Sequence, residues 1–193
     1  MNLGASSSRF GILGGTFDPV HNAHLAMAGA ALDQLKLDKV LWMPTGNPGY
    51  RNPPLASGEH RVAMLRLALE GEPRYEIDPR ELLLGASGYT VDSLHELRLE
   101  LGPDASLVLL MGADQLAKLG SWHRPDEVAR LARIAVFARP GFEVSQKKTL
   151  LVAMEPMPIS GTEIRERAAR GEDISGLVPA PVASYIARHG LYR

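Results

Sequence analysis

The sequence predicts an α/β fold: a Rossmann-like, doubly wound parallel sheet with helices on both faces. Short apolar runs alternate along the chain with segments whose apolar residues recur every three or four positions. The first apolar run ends in Gly14-Gly15, directly before a helical pattern, which is typical of the first strand–turn–helix unit of such a sheet. We therefore expect a ligand site at the carboxyl ends of the strands.

The predicted strands are short and stop before a glycine, a proline or a polar residue. Most are mainly apolar, while the third alternates polar and apolar residues. In chain order they cover residues 10–13, 39–43, 74–77, 106–111, 134–138 and 150–154.

The predicted helices have apolar residues at helical spacing and a recognisable start or stop. Ser57 is a cap for the second helix, Pro125 suits a first turn, and Gly171 and Gly190 are typical stops. In chain order the helices cover residues 25–35, 57–69, 90 or 92 to about 102, 113–119, a segment opening at 125, 164–170 and 182–188. Residues 45–56, rich in glycine, proline and asparagine, are predicted to form a binding loop or lid.

Length and composition limit the class of protein. With 193 residues, we expect a single domain, with a flexible segment over residues 1–8 and a C-terminal helical part over residues 159–193. The net charge of −1 lacks the basic excess of a nucleic-acid binder, and the absence of cysteine excludes disulfides and thiolate chemistry. Without an apolar signal segment or a membrane span, we expect a cytoplasmic enzyme with no nucleic-acid or membrane partner. Assembly into a homo-oligomer is left open.

Two histidines follow the first strand at the start of a helical pattern. His21 and His24 lie in the same short block as the glycine pair, Thr16 and Asp18. A helix N-terminus offers free backbone N–H groups, and imidazoles placed there can hold phosphate oxygens as charge builds on them. The alternative is a plain tight turn with two polar surface histidines.

This block resembles the H-x-G-H signature of the nucleotidyltransferase superfamily, with Ala23 in the glycine position. The run from Gly14 to His21, Gly-Gly-Thr-Phe-Asp-Pro-Val-His, is most similar to the bacterial nicotinate-nucleotide adenylyltransferases. The resemblance implies adenylyl transfer from ATP to nicotinate mononucleotide in NAD biosynthesis, with deamido-NAD and pyrophosphate as products. It also implies Mg²⁺ as a cofactor that enters mainly with the triphosphate, and no metal-binding residues are predicted. His21 and His24 are the predicted catalytic residues.

A polar turn, Gly112-Ala113-Asp114, follows the strongest strand signal. Asp114 is predicted either to accept a hydrogen bond from ribose or base, or to cap the following helix. The resemblance favours the site.

Trp122 lies in a polar, turn-like setting where its face can stack on a flat ring, although a core position is the alternative. The resemblance implies that Trp122 stacks on the pyridine ring and that the backbone N–H of His123 helps to hold the nicotinate carboxylate. It implies a similar recognition of the acid group by Tyr89 and Thr90, which open a predicted helix that Thr90 can also cap.

A second phosphate-binding helix start is predicted at Ser160-Gly161-Thr162, with Arg165 one turn in. It resembles the Ile-Ser-x-Thr-x-Ile-Arg motif of the superfamily, while a plain N-cap with a solvated arginine is the alternative. Gly161 stands where serine is common in the family.

Two further arginines complete the predicted site. Arg139 follows a strand and resembles an Arg-Pro-Gly turn of the family. Arg51 can keep a cationic phosphate contact, whereas Tyr50 replaces a histidine that many relatives have. The predicted ATP-binding residues are Gly14, Gly15, Thr16, Phe17, His21, His24, Gly112, Asp114, Arg139, Ser160, Thr162 and Arg165. The predicted mononucleotide-binding residues are Asp18, Arg51, Tyr89, Thr90, Trp122 and His123.

Three other functions compete. The first is another adenylyltransferase of the superfamily, of the nicotinamide-mononucleotide or pantetheine-phosphate type, although the latter usually has threonine in place of His21. The second is an NAD-dependent oxidoreductase. Gly11-x-x-Gly14-Gly15 argues against it, because this run lacks the G-x-G-x-x-G spacing of such enzymes. The third is a non-catalytic nucleotide-binding module, which would release no pyrophosphate from ATP.

Overall fold

The structure, a computed structural model, describes residues 8–46, 53–138 and 149–193. Its sheet is built from parallel strands in the spatial order β3-β2-β1-β4-β5-β6. This is the doubly wound order of a Rossmann-like fold and confirms the predicted fold class. The strands are β1 (Arg9–Gly15), β2 (Lys39–Pro44), β3 (Tyr75–Ile77), β4 (Ser106–Gly112), β5 (Arg133–Ala138) and β6 (Thr149–Ala153).

Helices connect successive strands from β1 to β5, and two more follow β6. They are α1 (Asn22–Leu35), α2 (Gly58–Leu69), α3 (Thr90–Leu101), α4 (Ala113–Lys118), α5 (Pro125–Leu131), α6 (Gly161–Ala169) and α7 (Ala180–His189). Three of these helices, α1, α6 and α7, begin two or three residues before their predicted starts. Their first turns carry polar or small residues that have no apolar periodicity.

Two hydrophobic clusters cover the two faces of the sheet, because successive side chains of each strand point to opposite faces. On one face, Leu13, Trp42 and Leu110 pack with residues of α1, α2, α6 and α7. On the other face, Ile12 and Leu109 pack with residues of α3 and α5. The C-terminal helices thus share their cluster with the first helix of the chain. The single-domain organisation itself stays a prediction.

The parallel register aligns the carboxyl ends of the central strands. Leu13 of β1 pairs with Trp42 of β2 on one side and with Leu110 of β4 on the other. The turns after these strands consequently lie at one edge of the sheet. Within the described ranges, no helix has both the length and the apolar content to cross a membrane.

Candidate active site

The candidate site lies where the strand order reverses, between β1 and β4. Chain connections leave these neighbouring strands in opposite directions, which opens a crevice at their carboxyl ends. Gly14 and Gly112 stand at those ends. A Cβ placed on either glycine would meet no atom of the described residues within 4 Å. Glycine backbone therefore borders open space at the point where such sheets bind ligands.

The two predicted catalytic histidines lie together at the N-terminus of α1. His21 is the N-cap residue, in extended conformation, and its ring stacks on the ring of His24 with 3.7 Å between centroids and 22° between planes. The backbone N–H of His21 donates to Nδ1 of His24 at 3.3 Å. Because Nδ1 of His24 accepts this bond, the proton of the neutral ring lies on Nε2. His24 can therefore donate a hydrogen bond from Nε2.

Burial determines the charge of this pair. It lowers the pKa of His21 to about 4, and burial together with the charge of His21 lowers the pKa of His24 to about 3. Both rings are therefore neutral at pH 7 in the free protein. Nδ1 of His21 is buried and has no hydrogen-bond partner among the described residues. The two rings are thus neutral hydrogen-bonding groups in the free protein and carry no positive charge.

Phe17 supports the histidine pair from the protein interior. Its ring is buried, meets the ring of His24 edge-on at 5.0 Å, and lies 5.5 Å from Trp42. A Cβ on Gly15 would come within 3.0 Å of the Phe17 ring. Gly15 is therefore needed for this packing. Since the ring of Phe17 belongs to the core, any contact between Phe17 and ATP would involve its backbone.

Asp18, in the same turn, directs its carboxylate into the protein. The side chain is 6% exposed and accepts hydrogen bonds from the backbone N–H groups of Leu55 and Ala56 at 2.7 and 3.1 Å. It also accepts the hydroxyl of Tyr192 at 2.8 Å. These contacts give Asp18 a role in connecting segments of the chain. Its predicted contact with the mononucleotide stays a prediction.

Arg61 was missed by the sequence reasoning and is a central residue of this edge of the sheet. Its side chain is 2% exposed and donates at 2.8 Å to the carbonyls of Thr16 and Thr45, which follow β1 and β2. The available signal was its position on α2, because Arg61 is three and four residues from the buried Met64 and Leu65 and so lies on the apolar face. A charged residue at such a position has a partner in most proteins.

The second predicted phosphate-binding helix start lies beside the turn that leads into the first. Ser160 is the N-cap of α6, and its hydroxyl accepts the backbone N–H of Glu163 at 3.2 Å. Arg165 donates to the carbonyl of Asp18 at 2.7 Å and to the hydroxyl of Thr162 at 3.2 Å. The N-termini of α1 and α6 are thus held at one edge of the sheet by an arginine.

Gly161 is explained by the same contact. A Cβ at this position would lie 3.0 Å from Nη1 of Arg165 and 3.2 Å from the carbonyl oxygen of Asp18. Such distances are tighter than ordinary van der Waals contact, so a serine here would require these groups to shift. The close approach of α6 to the turn after β1 therefore favours glycine.

The predicted pyridine side of the site combines the starts of α3 and α5. The rings of Tyr89 and His123 stack with 4.3 Å between centroids and 27° between planes. Trp122 is partly buried against the second hydrophobic cluster. Thr90 is the first residue of α3 and Tyr89 is the N-cap, which corrects the expectation that Thr90 caps the helix. Tyr89 and His123, two of the residues predicted to bind the mononucleotide, are thus in contact, with Thr90 and Trp122 next to them in the chain, while contacts of all four with the mononucleotide stay predictions.

Asp114 is exposed in the first turn of α4. The N-cap of this helix is Gly112, so the expectation that Asp114 caps it is wrong. Its predicted contact with ribose or base stays a prediction. Arg51, Tyr50 and Arg139 lie outside the described residues.

Comparison with known proteins identifies the family. A family model described as cytidylyltransferase-like matches residues 12–167. A probable nicotinate-nucleotide adenylyltransferase of Bordetella petrii is 44% identical over 96% of this chain and 99% of its own length. A protein of the same description from Thermomicrobium roseum is 43% identical over 96% of this chain and 92% of its own length. The chain belongs to the cytidylyltransferase-like family, among the nicotinate-nucleotide adenylyltransferases.

A solved adenylyltransferase confirms the fold of this family member. Nicotinic acid mononucleotide adenylyltransferase of Plasmodium falciparum, complexed with NaAD, superposes with a TM-score of 0.81 at 18% identity. The superposition covers 96% of this chain and 97% of the other. At this identity the likeness shows the fold alone. The family resemblance inferred from residues 14–21 is confirmed by the sequence relatives.

Proposed function

We propose that this adenylyltransferase transfers the adenylyl group of ATP to nicotinate mononucleotide, with deamido-NAD and pyrophosphate as products. The observation that carries the proposal is the stacked pair of His21 and His24 beside the glycine-lined crevice. Relatives of 43–44% identity that carry this enzyme's description support it. We propose that the reaction takes place in the cytoplasm.

The chemistry needs positioning more than a protein nucleophile. A phosphate oxygen of the mononucleotide attacks the α-phosphorus of ATP, and the bond from that phosphorus to the bridging oxygen of pyrophosphate breaks. Pyrophosphate leaves with the electron pair. The enzyme's contribution is to align the two phosphates and to stabilise the charge that develops on the phosphoryl oxygens.

The histidine pair supplies preorganised donors for that charge. A neutral imidazole keeps its N–H without carrying a charge that would repel the neighbouring ring. The polyanion that binds beside the rings favours their protonated forms, because an opposite charge raises a histidine pKa. The pair can therefore strengthen its hydrogen bonds as negative charge accumulates on the triphosphate.

The start of α6 is proposed to hold the β- and γ-phosphates. Its first backbone N–H groups lack partners within the helix, and the guanidinium of Arg165 lies beside them. The hydroxyls of Ser160 and Thr162 each accept one hydrogen bond at this helix start, so the O–H of each is still able to donate to a phosphate oxygen. Arg139, outside the described residues, stays a predicted ATP contact.

Mg²⁺ is proposed to enter with ATP. Among the described residues, no group of three or more histidine and acidic side chains is arranged to hold a metal ion. We propose no protein ligand for the ion. When bound to the triphosphate, Mg²⁺ would neutralise part of its charge.

The acceptor is proposed to be the acid rather than the amide. Backbone N–H groups near Thr90 and His123 can donate to both oxygens of a carboxylate, whereas the amide presents an NH₂ donor to at least one of them. An unpaired donor in a closed site discriminates strongly, and a preference of roughly 1000-fold in kcat/KM is expected.

The test is an acceptor panel with purified protein, ATP and Mg²⁺. Pyrophosphate release and the dinucleotide product are measured with nicotinate mononucleotide, nicotinamide mononucleotide and phosphopantetheine. The proposal expects rapid turnover with the first only. Equal kcat/KM for the two mononucleotides would indicate a dual-specificity enzyme and contradict the proposal. If no acceptor gave pyrophosphate, the protein would instead be a non-catalytic nucleotide-binding module.

A further inference from the structure

One buried residue, Asp18, joins four segments of the chain that are distant in sequence. Asp18 binds residues 55 and 56 before α2 through two backbone N–H groups, and Tyr192 after α7 through its hydroxyl. Its backbone carbonyl accepts a hydrogen bond from Arg165 of α6. The turn after β1, which leads into the histidine pair, is therefore anchored at its centre by Asp18.

The hydrogen bonds of the Asp18 carboxylate are charge-assisted. A carboxylate that accepts several hydrogen bonds in a site of low solvent exposure makes charge-assisted bonds that are worth more than neutral ones. Burial lowers the pKa of the Arg61 guanidinium, and the nearby charge of Asp18 acts in the opposite direction. Arg61 also donates to the carbonyl of Thr16, two residues before Asp18. Loss of one donor would leave part of a desolvated charge unpaired, and the turn would adjust.

Tyr192 is the donor that comes from farthest along the chain. Burial and the charge of Asp18 raise the pKa of its hydroxyl, which consequently stays protonated and donates at neutral pH. Its backbone has a φ of 69°, in the left-handed region that is unfavourable for residues other than glycine. The segment after α7 thus adopts a costly backbone conformation at the residue that reaches Asp18.

We propose that Tyr192 is a positioning residue for adenylyl transfer: through Asp18 it fixes the turn that carries His21 and His24 and the distance of that turn from α6. This inference rests on the proposed function and assigns part of the active-site geometry to the segment after α7. Tyr192 does not need to contact either substrate. Its hydroxyl affects the proposed phosphate site indirectly, through Asp18.

The variant Tyr192→Phe tests the hydroxyl alone, because the ring and its packing are kept. A small displacement of catalytic groups can cost as much as about 100-fold in rate, and we expect kcat to fall by about 10-fold. ATP should bind several-fold more weakly, and KM for nicotinate mononucleotide should change little. The melting temperature is measured in parallel, so that a variant that merely unfolds is recognised.

Tyr185→Phe is the matched control. The hydroxyl of Tyr185, on α7, lies 2.9 Å from Nδ1 of His60 and makes no hydrogen bond with Asp18 among the described residues. This variant also removes one tyrosine hydroxyl near the end of α7, and it should keep the kcat of the wild type. An equal fall in kcat for both variants would show that Tyr192 contributes only to the stability of the fold, and it would overturn the proposal.

A double-mutant cycle with Asp18→Asn checks the route of the effect. If Tyr192 acts through Asp18, adding Tyr192→Phe to Asp18→Asn should cause little further loss, since the shared contact is already weakened. Losses that multiply independently would contradict the proposal, as would full kcat in Tyr192→Phe.

Failure of the proposed function would be recognised separately. If the wild-type protein synthesised no dinucleotide, the proposed adenylyl transfer would be refuted. Calorimetric titration would still compare the affinity of Tyr192→Phe for ATP with that of the wild type. Weaker ATP binding than in Tyr185→Phe would support the positioning of the phosphate site, and equal binding would overturn it.

Discussion

At the scale of single residues, the stacked histidines are the proposed catalytic pair. Each ring is positioned by a different part of the structure: His21 by its place as the N-cap of α1, and His24 by the backbone N–H of His21 and by Phe17 behind it. Preorganised donors of this kind require no rearrangement when charge develops in the reaction.

Replacement of His24 should therefore remove most of the activity. His24→Ala removes one donor of the pair, and the loss of a single preorganised donor costs on the order of 100- to 1000-fold in kcat. The measurement is steady-state pyrophosphate release, with circular dichroism to verify the fold. His60→Ala, which alters a histidine on α2 beside Tyr185, is the control and should keep kcat. Normal turnover by His24→Ala at unchanged melting temperature would refute the assignment.

The histidine pair should also make stability depend on pH. The folded pKa values of about 4 and about 3 lie below the usual 6.5, so the unfolded chain binds more protons between these values. Stability consequently falls as pH decreases through this window. From about pH 7.5 to about pH 5 the cost is up to about 2 kcal/mol per histidine.

Urea unfolding at the two pH values measures this cost. His24→Asn removes one titrating ring, and we expect it to lose less free energy of unfolding than the wild type over the same interval. A variant with the same pH dependence as the wild type would show that His24 does not titrate as the burial of its ring implies.

At the scale of elements, an ionic network connects α3 and α5. Glu127 of α5 lies 2.8 Å from Nε2 of His95 on α3 and is also bonded to Arg124, which in turn lies 3.9 Å from Asp92. The hydrogen bond with His95, followed by the charge of Arg124, lowers the pKa of Glu127. This network fixes the segment containing Trp122 and His123 against the start of α3, where Tyr89 stacks on His123.

Glu127→Gln should loosen the predicted pyridine side without changing the phosphate side. We expect KM for nicotinate mononucleotide to rise by about 3- to 10-fold, because the link that fixes His123 against the start of α3 is weakened, while KM for ATP stays the same. A tenfold change corresponds to about 1.4 kcal/mol. Glu76→Gln is the control, since it breaks the exposed pair of Lys39 and Glu76 at the edge of the sheet. Equal increases in both KM values would contradict the separate role of this network.

At the scale of the whole molecule, the two faces of the sheet should unfold together. Strands β1 and β4 contribute alternate residues to both hydrophobic clusters, so neither cluster can separate while the sheet persists. The two tryptophans of the chain report on different clusters: Trp42 is buried in the first, and Trp122 packs on the second.

Single-tryptophan variants measure this cooperativity. In Trp122→Phe, fluorescence follows the first cluster, and in Trp42→Phe it follows the second. For each variant the urea midpoint by fluorescence should coincide with the midpoint by far-ultraviolet circular dichroism, as in two-state unfolding of a single domain. Separate midpoints within one variant would indicate independent units and refute the predicted single domain.

The sequence by itself determined the fold class and predicted the edge of the sheet at which the candidate site lies. Apolar runs that alternate with helical periods leave few topologies, because crossover connections between parallel strands are right-handed and ligands bind at their carboxyl ends. The block from Gly14 to His24 is contiguous, so its residues remain neighbours in any such fold. The family resemblance drawn from it is confirmed.

Only the tertiary structure decided which polar groups face the ligand side and which face inward. The contacts of Asp18 with Tyr192, and of Arg61 with Thr16 and Thr45, join segments whose separation carries no local signal. The neutral state of the histidines also depends on the burial of their rings in the folded chain. Periodicity and caps are properties of neighbouring residues, whereas burial and pairing depend on the whole chain, which is why these features could not be predicted from the sequence.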